Sequence, residues 1–246
     1  VTYPRQAVRE GDSRADVVGA VQERLVALGY SPLAVDGAFG RQTKAAVKLF
    51  QTRRGLETDG IVGPVTWAAL FSEPPIFVTK PANALLAAVL DVARSQVGVR
   101  ETGGPNRGPE VEKYLASLGL AAGNSYCMAF IFWCFAEACV RRSERNPLVK
   151  TGRVLDHWSL APATVKIAAE MVMDDLTLVQ PGAIFMIDHG EGRGHCGFVH
   201  EVRPFGVGTI EGNTSAGGGR NGDGVYQRTR RYSEISLGFL DYSRTL

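Results

Sequence analysis

The sequence has 246 residues, long for one ordinary core and comfortable for two domains. Its 27 Lys and Arg against 25 Asp and Glu leave a formal charge of +2, which predicts no nucleic-acid partner. Hydrophobic content of 45% and charged content of 21% exclude a disordered chain, and no apolar stretch approaches the roughly 20 residues of a membrane span. No membrane insertion is therefore expected, and the chain is read as a monomer. No signal peptide is visible, so no export route can be read, and Val1 in place of Met points to a trimmed start. The four cysteines, Cys127, Cys134, Cys139 and Cys196, form no CxxC pattern and are too few for a disulfide scaffold.

In chain order, Ser13-Arg14-Ala15-Asp16 resembles a capping box with Ser13 as N-cap. Val18, Val21, Leu25 and Leu28 follow at helical spacing, and Gly29 stops the helix. An internal repeat comes next. Asp36-Gly37-Ala38-Phe39-Gly40 with Thr43 is echoed by Asp59-Gly60-Ile61-Val62-Gly63 with Thr66, each a turn followed by a helix start. Helices through Ala46-Val47-Leu49-Phe50 and Trp67-Ala68-Leu70 complete a three-helix unit over residues 1–72.

Leu25 to Tyr30, both Asp-Gly turns, Thr43, Phe50-Gln51, Gly55-Leu56 and Thr66-Trp67 together resemble the helical peptidoglycan-binding domain. The resemblance implies peptidoglycan as partner and action at the cell wall. Tyr30, Phe39, Arg41 and Gln42 are the candidate groove residues. Phe50, Trp67 and Leu70 read as core. This segment holds no nucleophile–base pair, so it would bind and not cut.

Residues 73–82, with three prolines, read as a fairly stiff linker. A second domain, residues 83–246, opens at Asn83 with a helix whose apolar face holds Leu85, Leu86, Val89, Val92, Ala93 and Val97. A loop carrying Asn106 and Arg107 could line a cleft and hold substrate carbonyl or carboxylate groups. A short helix through Val111, Tyr114, Leu115 and Leu118 follows.

Cys127 stands between the polar stretch Ala122-Gly123-Asn124-Ser125 and the apolar run Met128 to Ala136. That run predicts a helix buried on every face, with Cys127 in its first turn. The helix dipole there favours the thiolate, and the unpaired Cys127 N–H could face an oxyanion. Cys134 and Cys139 read as core.

Ala183 to Ile187, His195 to Val202 and Gly208 to Asn213 read as strands, with a turn at residues 203–207. Antiparallel pairing about that turn sets His195 near Asn213, with Glu211 one same-face step away. A bulge would shift the register, so the pattern leaves Glu211 and Asn213 open as the group that orients the imidazole. Alternation sends Cys196 and His200 to the opposite face, Cys196 into the core. His157 reads as structural or exposed. Asp188, His189 and Glu191 read as a solvated loop, since no fourth ligand at metal spacing accompanies them. The glycine-rich run 214–224 reads as a mobile loop at a cleft rim. Val225 to Arg228 and Leu237 to Tyr242 read as closing strands.

Tyr126-Cys127-Met128-Ala129-Phe130, Pro181 to Phe185, Gly194 to Val199 and Ile210 to Thr214 resemble the motifs of the CHAP family of peptidoglycan amidohydrolases and peptidases. The related NlpC-type peptidases share the cysteine helix and the histidine strand. The resemblance implies an α+β chain: a three-helix N-terminal domain, then a papain-like domain with helices packed on an antiparallel sheet. It implies Cys127 as nucleophile, His195 as base, and Glu211 as orienter with Asn213 assisting. Tyr126 is a further candidate for contact with substrate. Neither a metal nor an organic cofactor is required. The expected activity is amidase or endopeptidase cleavage of the wall, in an endolysin, a bacterial remodelling enzyme or an antibacterial toxin. The alternative is a wall-binding protein with a retired hydrolase domain.

Overall fold

A computed structural model describes residues 2–30, 33–72, 80–174, 176–203, 206–215 and 222–245. The chain divides into two compact units, one over Val1–Phe77 and one over Val78–Val202 with Gly206–Leu246. Most of the predicted linker, the tip of the 203–207 turn and the centre of the glycine-rich run lie outside the described residues.

The first unit packs α1 (Ala15–Ala27), α2 (Arg41–Arg53) and α3 (Pro64–Ser72) around Val18, Val21, Leu25, Val47, Phe50, Trp67 and Leu70. Helix α1 begins one residue after Arg14, which is its N-cap without a side-chain cap bond, so the expected Ser13 cap does not form. Asp12 takes over at this end: its carboxylate accepts from the Arg14 N–H at 3.0 Å and from the Arg14 guanidinium.

The repeat has a physical basis in two buried glutamines. Gln22 Nε2 donates to Asp36 Oδ1, the Ala38 carbonyl and Thr43 Oγ1 at 2.8, 3.0 and 3.0 Å. Gln51 Nε2 donates to Asp59 Oδ1, the Ile61 carbonyl and Thr66 Oγ1 at 2.7, 2.9 and 3.2 Å. Each glutamine oxygen accepts the glycine N–H of its own Asp-Gly turn, at 2.8 Å in both copies. One amide thus ties a helix to a turn and to the next helix. Leaving such a buried amide unpaired would cost about 1–3 kcal/mol.

The second unit is a mixed α+β arrangement. Its sheet has the order β1-β6-β2-β3-β4-β5, with β1–β6, β6–β2, β2–β3 and β4–β5 antiparallel. The strands are β1 (Lys166–Ala168), β2 (Ile184–Gly190), β3 (Arg193–Arg203), β4 (Gly206–Thr214), β5 (Gly224–Arg231) and β6 (Gly238–Leu240). Alternation sorts its faces. Ile184, Met186, Cys196, Phe198 and Ile210 join the helices in the larger core, whereas Phe185, Ile187, Val199 and Val207 join the smaller one.

The larger core holds α4 (Ala84–Ser95), α5 (Pro109–Ser117) and α6 (Cys127–Arg142). Asn83 caps α4, its side chain accepting the Leu86 N–H at 2.9 Å. Helix α6 is the central one. Phe130 meets Tyr114 edge-on at 5.3 Å and Phe198 at 6.0 Å, and Phe135 meets Phe198 and Tyr242. It is not buried on every face: Phe132 and Trp133 are half-buried and Val140 is 77% exposed. Cys134 and Cys139 are buried, as expected of core thiols.

The middle segment supplies α7 (Val154–Leu160) and α8 (Ala169–Asp174). His157 on α7 is a core group. Its ring joins the Val149 carbonyl at 3.2 Å and the Tyr242 hydroxyl at 3.0 Å. Burial lowers its pKa to about 4, so it stays neutral. Among the described residues no helix is long and apolar enough to cross a membrane.

Gly212 sets how closely α6 approaches the sheet. A Cβ there would lie 2.8 Å from both Cβ and Cγ of Phe130. Gly212→Ala is expected to lose about 1–3 kcal/mol of stability, the cost of overpacking a filled core. Urea unfolding monitored by tryptophan fluorescence measures it.

Candidate active site

Cys127 is the first residue of α6, where the Tyr126 cap supplies no side-chain hydrogen bond. It lines a cleft of about 720 Å³ together with Ser125, His195, Asn213, Thr214 and residues of the β2–β3 hairpin. The hairpin turns at Glu191-Gly192, both with positive φ (55° and 74°), as a two-residue type I′ turn requires. Strand β2 runs on through Asp188 and His189, so these two residues are sheet rather than the expected loop.

His195 is 8% exposed on β3. Its Nε2 donates to Glu211 Oε2 at 2.9 Å, and it lines the same cleft as Cys127. With Nε2 engaged by Glu211, Nδ1 is the nitrogen left to face the thiol. Glu211 is therefore the group on the imidazole. Asn213 has a left-handed φ of 56° beside a break in the β4–β5 register. It lines the cleft without a side-chain bond to His195 among the described residues.

Glu211 has no exposed surface. Its two oxygens accept from Thr209 Oγ1 at 2.6 Å, Arg230 Nε at 2.9 Å, Arg230 Nη2 at 2.7 Å and His195. Burial alone would raise its pKa, but Arg230 and His195 outweigh this and hold the carboxyl well below the usual range. Burial likewise opposes a charged His195, yet Cys127 and Glu211 raise its pKa to about 9. Cys127 is pushed the other way, well below an ordinary thiol. The largest cause is a hydrogen bond from Cys196, which burial opposes; His195 and the Met128 N–H add to it. Both shifts favour a thiolate beside a charged imidazole.

Sequence reasoning missed two members of this set. Arg230 lies 19 residues from Glu211 and is paired to it only through the β4–β5 register, in which it faces Val207. Cys196 sits in the core as expected, but on the face that α6 covers. Its thiol is 3.9 Å from Met128 Sδ and also reaches Cys127. It has one proton to give, and a thiolate is the stronger acceptor.

Other candidate residues sit elsewhere. Tyr126 is fully buried, its ring 6.0 Å from that of Tyr114. Asn106 anchors its own loop: its N–H donates to Glu101 Oε2 at 2.7 Å and its side chain to the Gly123 carbonyl. Arg107 is exposed, and neither it nor Asn106 lines the cleft. In the first unit Tyr30 and Phe39 are core side chains, 6% and 4% exposed, because Tyr30 stacks edge-on against Phe50. Arg41 and Gln42 are exposed at the start of α2.

Residues 14–70 match the family described as a putative peptidoglycan binding domain, so the first unit carries a domain of that kind. The chain is 54% identical over 39 residues to the zinc D-Ala-D-Ala carboxypeptidase of Streptomyces albus G, covering 16% of this chain and 15% of that protein. It is 44% identical over 55 residues to the N-acetylmuramoyl-L-alanine amidase CwlL of Bacillus licheniformis, covering 22% and 15%. A solved Burkholderia AP3 phage endolysin is 32% identical over 43% of this chain and 42% of its own, with a TM-score of 0.26 that carries no fold assignment. The chain spans at most about half the length of the curated relatives it matches.

Removing Arg230 would leave Glu211 as a buried charge with only His195 opposite it. Arg230→Met is expected to cost about 3–5 kcal/mol of stability, with much of the loss recovered in the double variant Arg230→Met/Glu211→Gln. Paired denaturant titrations measure both.

Proposed function

We propose that the chain is a cell-wall hydrolase that cleaves an amide of peptidoglycan through Cys127, in the manner of CHAP-type amidases and peptidases. One observation carries this reading: an imidazole hydrogen-bonded to a buried carboxylate shares a cleft with a thiol at a helix N-terminus. Such a series serves acyl transfer, and the neighbouring domain supplies the substrate class.

In this mechanism the Cys127 thiolate attacks the amide carbonyl carbon. The carbonyl electrons move onto oxygen, which the Cys127 N–H at the first turn of α6 can meet. Protonated His195 gives its proton to the leaving nitrogen, and the C–N bond breaks to leave a thioester. Neutral His195 then takes a proton from water, whose oxygen attacks the thioester and frees the acid and the thiolate. Glu211 holds the imidazole in one orientation throughout and stabilises its charged form. The peptidoglycan-binding domain keeps the reaction at the wall by tethering. The bond is either the muramoyl–L-alanine amide or a peptide amide of the stem or cross-bridge.

Cys127→Ala is expected to abolish the lysis of purified sacculi, followed by turbidity, while the protein still sediments with them. Lysis by the alanine variant would sink the assignment. The reactive ion pair exists between the lowered pKa of Cys127 and the value of about 9 for His195. kcat/KM on a soluble muropeptide should therefore be flat through neutrality. It should fall on the alkaline side near pH 9 as His195 loses its proton, and on the acid side as Cys127 gains one. An alkaline limb first appearing at the pKa of a free thiol, with no imidazolium limb, would contradict the pairing.

A further inference from the structure

The cleft beside Cys127 carries charge of one sign. Arg153, Arg193, Arg228 and Arg230 line it, and among the described residues no Asp or Glu does. The whole chain is nearly balanced at 27 basic and 25 acidic residues, so composition does not explain this. Arg230 is neutralised by Glu211, but the other three are not comparably engaged.

Arg228, half-buried on β5, donates through Nη1 to Thr214 Oγ1 at 3.0 Å and to the Ser215 carbonyl at 3.1 Å. Both partners are neutral, and among the described residues Arg228 has no acidic partner. Both bonds use Nη1, and a guanidinium held in this way still carries an Nε–Nη2 edge with two parallel N–H groups, the geometry that matches a carboxylate. Arg153 has a 70% exposed side chain and lies 3.8 Å from Asp156, too far for a close pair. Arg193 pairs with Glu191 on the hairpin turn, with side chains 56% and 81% exposed. Such a surface pair is worth about 0–1 kcal/mol and yields to a better-placed anion. His189, also on the cleft, has its pKa lowered by burial and then by His195, Arg230 and Arg193, which reports the same positive field.

We propose that Arg228, with Arg153 and Arg193 at the same cleft, forms a carboxylate subsite that selects stem peptides with free rather than amidated acid groups. A guanidinium edge matches carboxylate and phosphate oxygens alike, so competition by inorganic phosphate separates a stem peptide from an anionic wall polymer. The choice of stem peptide as ligand rests on the hydrolase reading, whereas the subsite itself does not require turnover.

The test is calorimetry on the full-length Cys127→Ala protein. It is titrated with a soluble disaccharide stem peptide bearing a free D-glutamyl carboxylate, and with the same peptide amidated at that group. The free acid should bind about tenfold tighter or more, the worth of one charge-assisted hydrogen-bonded pair. Adding Arg228→Gln should erase the preference, and Arg228→Lys should keep part of it. Arg153→Gln changes an exposed side chain and should weaken the free-acid peptide several-fold even if Arg228→Gln does not fold. Comparison within one chain removes any contribution from the first unit. Equal affinity for the two peptides, or a preference unchanged by both glutamine variants, would overturn the subsite. Inorganic phosphate displacing the peptide at matching concentration would also overturn it, in favour of a general anion site. Selective binding without cleavage by the unsubstituted protein would leave the subsite standing and remove the hydrolase reading.

Discussion

The site depends on a carboxylate that has no contact with solvent. Glu211 is fully buried in the sheet, and an isolated charge there would cost several kcal/mol or simply take up a proton. It stays charged because four hydrogen bonds meet its two oxygens, two of them from one guanidinium. Those bonds leave little freedom in the carboxylate, and so little in the imidazole it holds. Room for the arrangement comes from Gly197. A Cβ there would lie 2.8 Å from Glu211 Cγ and 2.6 Å from a Phe185 ring carbon. The residue two places after His195 has to be glycine for Glu211 to lie across the strand and reach Nε2.

The thiol is held from the other side of the same strand. Cys196 follows His195 and so points to the opposite face, onto α6. Cys127 at the helix end meets both residues, one with each kind of contact: a charged imidazole and a weak S–H donor. The helix N-terminus adds partial positive charge to the same sulfur. Each contribution is modest, but all favour the thiolate, and together they overcome a burial that favours the thiol. Close packing of Phe130 on Gly212 ties the position of α6 to the strand that carries Glu211, so Cys127 and Glu211 share one rigid support.

The parts of this arrangement legible in the sequence are the local ones. The helix start at Asn83, the apolar run after Cys127 and the alternation of β3 each depend on neighbours a few residues apart. The choice between Glu211 and Asn213 was not legible, because it turns on a register break in which Asn213 adopts φ of 56°. Arg230 was invisible for a related reason: its partner is set by strand pairing rather than spacing. Cys196 was assigned correctly to the core, but alternation cannot say which helix end rests on that face. The Glu191-Gly192 turn carried a weak signal, since positive φ at Glu is uncommon. In the first unit the Asp-Gly repeat was plain. Its cause, a buried glutamine in each copy, lay outside the repeated motif, on the helix before each turn.

A cleft lined with arginines has opposite consequences for a thiol and an imidazole. Positive potential favours the Cys127 thiolate and disfavours a second positive charge on an imidazole. The two histidines of the cleft separate these effects. His189 has no carboxylate hydrogen-bonded to its ring among the described residues, and its pKa falls. His195 is more deeply buried, yet its pKa rises to about 9. The difference is the company of Glu211 and the thiolate. The buried carboxylate thus does more than orient a ring. It keeps the pKa of the imidazole beside Cys127 raised in a cleft lined with arginines. Arg230 then has a part of its own: its two hydrogen bonds help keep that carboxylate charged.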